Sequence, residues 1–261
     1  MSRLDRPRGP GRRTGLAVSL DRLPADRRVA VSLSEAALRA RVLHLDPWVI
    51  VIDKPAGLPV HAGPTSPDHL ERYLHALAYG YAGPPQLAHR LDRDTSGCLA
   101  LGRHRRALKR LGALFEAGRV AKTYWAVVDG VPEAAEGIID QPILKVSDRR
   151  GWRMVADPAG RAALTRYRVL ASDGQRSWIA FEPRTGRTHQ LRVHAALSGW
   201  PIVGDGFYAE REAREGPLML HARSLTLPLD PASPIHAEAP PPPHLEAAIA
   251  RLQPIAARRP G

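Results

Sequence analysis

One polar loop runs directly into an apolar strand at residues 89–103, and this junction constrains the fold more than any other stretch of the chain. Its sequence, HRLDRDTSGCLALGR, puts Asp92 between Arg90 and Arg93. The DTSG that follows contains small polar residues and a glycine, which allow a sharp turn and a close backbone approach to a ligand. The next four residues, Cys98–Leu101, are apolar and bounded by glycines, a pattern typical of a core strand. The fold must therefore bury this strand while the acidic loop stays accessible.

Asp92 is the first candidate for a reactive group. Catalytic residues are often carried by loops on a rigid scaffold. The flanking arginines favour the ionised carboxylate, which is the form that a nucleophile needs. The same string also fits a salt-bridged surface loop, in which Asp92 pairs with Arg90 or Arg93 and Asp94 closes a turn. The loop alone leaves both interpretations open, because short motifs are weak signals.

The chain is strongly basic. Its 261 residues include 38 Lys and Arg against 26 Asp and Glu, a formal net charge of +12. Such an excess is typical of a protein that binds a polyanion, and nucleic acid is the usual one. Arginine outnumbers lysine, which suits forked contacts with phosphate and stacking on bases. Heavy use of arginine by a soluble protein without a nucleic-acid partner is the alternative that composition leaves open.

Other functional classes are disfavoured by what the sequence contains. The single cysteine, Cys98, excludes an intramolecular disulfide and a zinc cluster built on thiolates, and its apolar neighbours predict a core residue. Neither an apolar signal segment nor a run of about 18 apolar residues is found, so we expect a soluble, cytoplasmic protein without a membrane partner. His189 and His194 are five residues apart and do not form the i, i+4 pair of a helical metal site. No metal site is predicted.

Composition divides the chain into three parts. Residues 1–28 are rich in Arg, Pro and Gly and predict a flexible basic arm, residues 29–252 a single domain, and residues 253–261 a basic tail. Within the domain, strand patterns outnumber helical ones without a strict strand–helix–strand alternation, which predicts an α+β fold. Helical periodicity is found at 68–82, 104–118, 185–199 and 244–252.

Several blocks of the sequence resemble, in the same order, the motifs of the RNA pseudouridine synthases, in particular the branch that includes the large-subunit ribosomal RNA enzymes. HRLD followed by TSG resembles the active-site signature of that family. IDKPAGLPVH precedes it, and KTYWAVVDG, TGRTHQLRVH, GWPIVGDGFY and LHA follow it. The resemblance covers about residues 42–250, which is most of the chain.

The resemblance implies an α+β catalytic domain built on a long mixed, largely antiparallel sheet, with a central cleft and flanking helices. It also implies an activity, the isomerisation of a uridine in ribosomal or transfer RNA to pseudouridine. In that reaction the base leaves its stack, the bond from the ribose to N1 breaks, and C5 is joined to the same ribose carbon. No redox change or external group is involved, so no cofactor is expected. The expected partner is RNA, bound by a monomer.

The same resemblance implies roles for individual residues. Asp92 is the catalytic acid, acting as nucleophile or as the base that starts elimination. Tyr124, in KTYWAVVDG, stacks on the target base and can assist proton transfer. Arg187, the first arginine of TGRTHQLRVH, pairs with Asp92, because a guanidinium holds a carboxylate bidentately and keeps it ionised. Arg90 fills the gap that the base leaves. The remaining residues expected to bind RNA are Arg93, Lys122, His189 and Arg192.

Two further positions are undecided between a structural and a functional role. Lys54, in IDKPAGLPVH, is either an ordinary surface lysine or a structural residue beside the cleft. The segment DRRGWR, at 148–153, combines an aromatic residue with arginines. That combination fits a stacking and phosphate site and an exposed hairpin tip equally well.

Two alternative functions remain at this stage. An aspartyl-phosphate phosphatase uses a similar pair of aspartates with Mg²⁺, but its acids follow an apolar strand, whereas here the apolar run comes after Asp92. A non-enzymatic RNA-binding or ribosome-assembly factor would explain the basic charge. Such a factor has no need of an acid inside a basic cleft, so the enzyme is favoured.

Overall fold

The computed structural model describes residues 33–63, 68–148, 151–210 and 214–252. The basic arm predicted at 1–28 and the tail predicted at 253–261 lie outside the described residues. All described ranges fall inside the domain predicted at 29–252, whose limits stay a prediction.

Strands provide most of the regular structure. They are β1 Val42–Leu45, β2 Val49–Lys54, β3 Gln86–Leu87, β4 Ser96–Gly102, β5 Ala121–Asp129, β6 Glu136–Asp140, β7 Ile143–Asp148, β8 Gly151–Ala156, β9 Leu164–Ser172, β10 Arg176–Pro183, β11 Leu220–Leu227 and β12 Ile235–Glu238. The helices are α1 Glu35–Arg39, α2 Arg105–Glu116, α3 Gln190–Leu197 and α4 Pro243–Ile249, together with a 3₁₀ helix, Leu70–Leu77. Among the described residues, no helix has both the length and the apolar character needed to cross a bilayer.

Most of the strands belong to one large sheet. It has 10 strands in the order β1-β2-β4-β11-β5-β10-β9-β6, with β3 paired to β4 and β12 paired to β11. The pair β4–β11 is parallel, and the other pairs described in this sheet are antiparallel. Strands β7 and β8 form a separate antiparallel hairpin. This mixed, mostly antiparallel sheet with few helices confirms the predicted fold class.

The sheet brings together residues that are far apart in the sequence. Gly97 on β4 pairs with Ala222 on β11, and Ala222 pairs with Tyr124 on β5. Gly97 has a φ of 106°, and a Cβ at this position would lie 2.2 Å from the carbonyl oxygen of Ala222, so only glycine fits. The loop that carries Asp92 ends where β4 begins, and this row of residues therefore sets Asp92 beside Tyr124.

Strand β4 lies in the core, as the apolar run predicts. All of its residues are buried. Leu99 and Leu101 pack with Ile50 and Ile52 of β2 on one face of the sheet, and Cys98 belongs to the cluster on the other face. Burial raises the pKa of the Cys98 thiol to about 12. The prediction that Cys98 is a core residue is confirmed.

Two predicted helices are shorter than expected. The helix predicted at 68–82 is a 3₁₀ helix that ends at Leu77, because Tyr79 and Gly80 adopt positive φ angles of 42° and 84°. The helix predicted at 185–199 begins only at Gln190, because His189 has a left-handed φ of 54°. The segment before it is held as a loop by Gln190, whose Oε1 accepts hydrogen bonds from Thr185 and from the backbone of Arg187.

Candidate active site

A cleft opens beside the start of β4, with a volume of about 620 Å³. The loop before β4, strand β5 and the segment between β10 and α3 contribute most of its lining. All of the predicted site residues except Arg93 line it: Arg90, Asp92, Lys122, Tyr124, Arg187, His189 and Arg192. The cleft thus combines one carboxylate with several cations, at the place that the sequence motifs indicate.

The loop that carries Asp92 is held from below by a buried lysine. Lys54, at the end of β2, is fully buried. Its Nζ donates hydrogen bonds to the carbonyl oxygens of Pro55, Leu58 and Arg93, at 2.7, 2.8 and 3.1 Å. Burial lowers the pKa of Lys54 to about 7, although the charges of nearby aspartates raise it. Lys54 is therefore a structural residue and not a surface lysine, since its ammonium group joins the two loops that meet under Asp92.

The carboxylate of Asp92 faces two side chains from the opposite wall of the cleft. Its Oδ2 lies 3.7 Å from Nη1 of Arg192 and 3.8 Å from Nε2 of His189. The Asp92 side chain keeps 19% of its surface exposed, whereas Arg192 keeps only 5%. The partly accessible carboxylate of Asp92 thus lies beside the nearly buried guanidinium of Arg192.

Arg192 is fixed by a second carboxylate. Its Nε and Nη2 donate to the two oxygens of Asp205, at 2.8 and 2.7 Å, in the bidentate geometry that arginine favours. Asp205 is fully buried. Burial alone would lower the pKa of Arg192, but the hydrogen bonds and charge of Asp205, with the charge of Asp92, raise it above its ordinary value. The guanidinium is therefore permanently charged and cannot turn away from Asp92 without breaking the Asp205 pair.

The predicted pairing of Arg187 with Asp92 is wrong. Arg187 lines the cleft, but its Nε donates to the carbonyl oxygen of Ala162 at 3.0 Å. Within the described residues, the basic side chains that approach Asp92 within 4 Å are Arg192 and His189. The reason is the late start of α3: Arg187 precedes the helix, and Arg192 occupies its first turn. Arg192, predicted only to bind RNA, takes the position that the sequence assigned to Arg187.

Tyr124 completes the group around Asp92. Its ring is partly buried and packs against two apolar clusters of the core. Burial raises the pKa of the Tyr124 phenol, and the charge of Asp92 adds to this effect, so the side chain stays a neutral phenol. A flat ring of this kind suits stacking on a base and can donate a hydrogen bond. The site therefore offers an ionisable acid, a fixed cation and an aromatic surface in one cleft.

This combination agrees with a known family. The family model for RNA pseudouridylate synthase matches residues 48–197, a range that includes Asp92, Tyr124 and Arg192. The chain belongs to the RNA pseudouridine synthase family. As an RNA pseudouridine synthase, the protein is an isomerase.

Individual relatives support the same assignment. An uncharacterized RNA pseudouridine synthase of Zymomonas mobilis is 50% identical over 206 residues, which cover 78% of this synthase and 94% of that protein. A mitochondrial pseudouridylate synthase of Xenopus tropicalis is 36% identical over 220 residues, covering 73% of this chain and 68% of that protein. The solved structure of human RNA pseudouridylate synthase domain containing 4 is similar with a TM-score of 0.73 at 30% identity, covering 84% of this chain and 96% of that chain. The human protein called domain containing 1 gives a TM-score of 0.70 at 27% identity, with 87% and 92% covered.

The residues expected to bind RNA lie in different settings in the synthase. Arg90 is exposed and lines the cleft. Lys122 lines it more deeply, where burial lowers the pKa of its amine. Arg93 does not line the cleft; its Nε donates to the carbonyl oxygen of Gly57 at 3.2 Å, and it lies 3.7 Å from the carboxylate of Asp94. The contact of Arg93 with RNA stays a prediction.

Sequence reasoning missed two residues of the synthase's site. Asp205, in GWPIVGDGFY, holds Arg192, and Tyr208 in the same block contacts His189 at 2.7 Å. The sequence signal that could have indicated Asp205 is that it is the single acid of the mostly apolar block GWPIVGDGFY. Its partner lies in another part of the chain, so the pairing becomes visible only in the fold.

Proposed function

We propose that the synthase isomerises one particular uridine of ribosomal or transfer RNA, and that Asp92 is the group that reacts with the flipped nucleoside. The observation that carries the proposal is the setting of Asp92, a partly exposed carboxylate that faces a cation fixed by Asp205. Binding of a polyanion alone has no use for a negative charge at this place, because that charge repels phosphate. A reaction at an electrophilic carbon does need one.

The reaction exchanges one bond for another on the same ribose carbon. The bond from that carbon to N1 of uracil breaks, the base turns, a new bond forms to C5, the proton on C5 is lost, and N1 gains a proton. Asp92 either attacks the ribose carbon or removes a proton to start elimination, and both routes use the ionised carboxylate. Arg192 supports both, because a fixed positive charge at 3.7 Å attracts the carboxylate and holds it toward the opposite wall of the cleft.

The target base has to leave its stack before it can reach Asp92, as for other enzymes that act on a base within a folded nucleic acid. Tyr124 supplies a surface on which the extruded ring can stack. Leu220, which also lines the cleft, gives an apolar side to the same space. Arg90 is placed to enter the gap in the RNA, since it is exposed and belongs to the loop of Asp92.

RNA binding is supported by charge. The net charge of +12 favours phosphate contacts over a surface larger than the cleft. Lys122 is suited to a phosphate near the target nucleotide, because burial of its amine makes a nearby negative charge favourable.

The target is found by comparing RNA from a strain with and without the protein. Ribosomal and transfer RNA are treated with a carbodiimide that labels pseudouridine, and reverse-transcription stops are mapped. We expect one stop to disappear in the strain that lacks the protein and to return when the wild-type gene is restored. Asp92→Asn should not restore it. Asp94→Asn is the matched control, because Asp94 is exposed and does not line the cleft. An unchanged set of stops in both RNA classes would contradict the proposed target class.

A further inference from the structure

We propose that His189 is a positioning residue for Asp92, and that the β7–β8 hairpin holds His189 in the required tautomer through Tyr208. The inference rests on the proposed function only where it treats Asp92 as the reacting group. It concerns three contacts that follow one another from the hairpin to the carboxylate.

The chain of contacts begins at the hairpin backbone. The N–H of Met154, on β8, donates to the hydroxyl oxygen of Tyr208 at 3.2 Å. The same hydroxyl lies 2.7 Å from Nδ1 of His189. On the other side of the ring, Nε2 of His189 lies 3.8 Å from Oδ2 of Asp92. The imidazole therefore stands between a phenol and the carboxylate, with one ring nitrogen facing each.

The charge states of the two rings limit where the protons are. Burial, with a contribution from the charge of Arg192, lowers the pKa of His189 to about 4, so the ring is neutral at pH 7 and carries one N–H. Burial raises the pKa of Tyr208 to about 12, so its hydroxyl keeps its proton. The question is then which nitrogen of His189 bears the single proton.

Electrostatics select Nε2. A proton on Nδ1 would turn the lone pair of Nε2 toward the negative oxygen of Asp92, which is repulsive. A proton on Nε2 points a donor at Asp92 and lets Nδ1 accept the hydroxyl proton of Tyr208. Tyr208 can donate in this way because its oxygen already accepts from Met154. This arrangement satisfies Nδ1 of His189 and the hydroxyl of Tyr208, with the hairpin taking part in it, and it leaves Nε2 as a donor directed at Asp92.

The ring of His189 is held firmly in this place. Trp152, also on β8, lies with its ring centroid 5.2 Å from that of His189, and Phe207 lies 5.6 Å away on another side. The backbone of His189 has a left-handed φ of 54°. A non-glycine residue keeps such a conformation only where its surroundings hold it, and residues of this kind cluster at functional sites.

At 3.8 Å the contact of Nε2 with Asp92 is longer than a hydrogen bond. Catalytic hydrogen bonds are often long in free enzymes and tighten when substrate enters. Arg192 approaches the same oxygen, Oδ2, at 3.7 Å. Two donors from one wall therefore turn the carboxylate and fix its direction when the nucleoside enters. A movement of the hairpin would loosen one of them, because Tyr208 would lose the Met154 contact.

The tautomer is tested directly on the full chain by NMR with ¹⁵N-labelled histidine. His189 is assigned by comparison with His189→Gln. At pH 7 we expect the spectrum of a neutral ring with its proton on Nε2 and an acceptor at Nδ1. A proton on Nδ1, or a charged ring, would overturn the proposal. This measurement needs no activity, so it decides the inference even if the proposed function fails.

The effect on Asp92 is tested by turnover. Glutamine can place an amide N–H where Nε2 lies, whereas leucine cannot donate at all. Under single-turnover conditions, His189→Leu should lower the rate of the chemical step about tenfold, the equivalent of one hydrogen bond to a charged group, with RNA affinity unchanged. His189→Gln should restore most of that rate. Equal loss in both variants, or a loss of RNA affinity in place of rate, would show a merely structural or RNA-binding role and overturn the proposal.

Tyr208→Phe tests the link to the hairpin. It removes only the hydroxyl, so the ring packing around His189 is kept. We expect the NMR spectrum to show both neutral tautomers and the rate to fall by about fivefold, which corresponds to one neutral hydrogen bond. If Tyr208→Phe leaves His189 entirely in the Nε2–H form, the hairpin has no part in setting the tautomer.

Discussion

Each wall of the cleft contains a buried cation, and the two cations are stabilised by different kinds of partner. Under the Asp92 loop, Lys54 is surrounded by carbonyl oxygens, and burial lowers its pKa to about 7. In the facing wall, Arg192 is paired with Asp205, and the pKa of Arg192 is raised in spite of its burial. One cation is held by dipoles and the other by a full opposite charge.

The difference separates two tasks that a catalytic cleft has to perform. Lys54 fixes the course of the backbone, since its donors reach three carbonyl groups on two loops. Arg192 fixes the charge next to Asp92, since Asp205 keeps the guanidinium both ionised and in place. The lysine wall is thus a structural support for the carboxylate, and the arginine wall is its electrostatic partner. The comparison predicts that replacing Lys54 and replacing Arg192 have different effects on stability and turnover.

The largest effect is expected at Arg192. Arg192→Met leaves the buried Asp205 without its cationic partner and should lower the free energy of unfolding by about 3–5 kcal/mol, as when one member of a buried ion pair is removed. Adding Asp205→Asn should recover most of this stability, because the asparagine oxygen can still accept from the backbone N–H groups of Phe207 and Tyr208. Arg192→Met should also abolish pseudouridine formation, and the double variant should not regain it. Urea unfolding and a turnover assay measure the two effects separately, and recovered turnover would break the comparison.

Lys54→Met should have a smaller effect. It removes three hydrogen bonds but also the cost of a buried charge, so we expect the free energy of unfolding to fall by about 1–3 kcal/mol. The loss should be local. Amide hydrogen exchange should rise at residues 54–58 and 92–95, while the surroundings of Arg192 stay protected. Loss of protection in both walls would show that they are not independent.

The pH dependence of stability sharpens the same contrast. The pKa of Lys54 is lowered from 10.5 to about 7 in the folded protein, so between these values the unfolded chain binds more protons. The free energy of unfolding should then increase with pH across this window, by at most about 1.4 kcal/mol per pH unit. Urea unfolding of the wild type and Lys54→Met at pH 8 and 9 isolates this contribution. An equal slope in both proteins would show that Lys54 does not titrate there.

The smallest effect is expected at Arg187. Because its Nε is bonded to Ala162 and it does not contact Asp92, Arg187→Gln should change the rate of the chemical step by less than about threefold, as for an exposed polar contact. Any effect should appear in RNA affinity at low salt. A loss of rate comparable to that of Arg192→Met would restore the original assignment of Arg187.

The sequence predicted the residues that depend on local pattern. Strand β4 and the loop of Asp92 follow from neighbouring residues, and the family resemblance implied the place of Tyr124 in the cleft. The partner of Asp92 was misassigned because it depends on where α3 begins. That start is set by the left-handed φ of His189. The sequence alone does not show that a histidine adopts this conformation.

Long-range contacts explain the remaining differences. Asp205 reaches Arg192 only after the chain has folded back. Lys54 is buried because two loops close around it, although lysine is almost never fully buried. The 3₁₀ helix at Leu70–Leu77 ends early through two residues with positive φ, although the apolar periodicity continues in the sequence. For Asp205 and Lys54 the deciding contacts come from distant segments, whereas the 3₁₀ helix ends through the local backbone angles of Tyr79 and Gly80.

The central claim is that the carboxylate of Asp92 performs the isomerisation, and release of tritium from RNA labelled at C5 of uridine tests it most directly. With RNA from a strain lacking the protein as substrate, the wild type and Asp94→Asn should release tritium at similar rates. Asp92→Asn, which has nearly the same shape and no charge, should bind the RNA with similar affinity and release none. Tritium release by Asp92→Asn at a rate near that of the wild type would contradict the account.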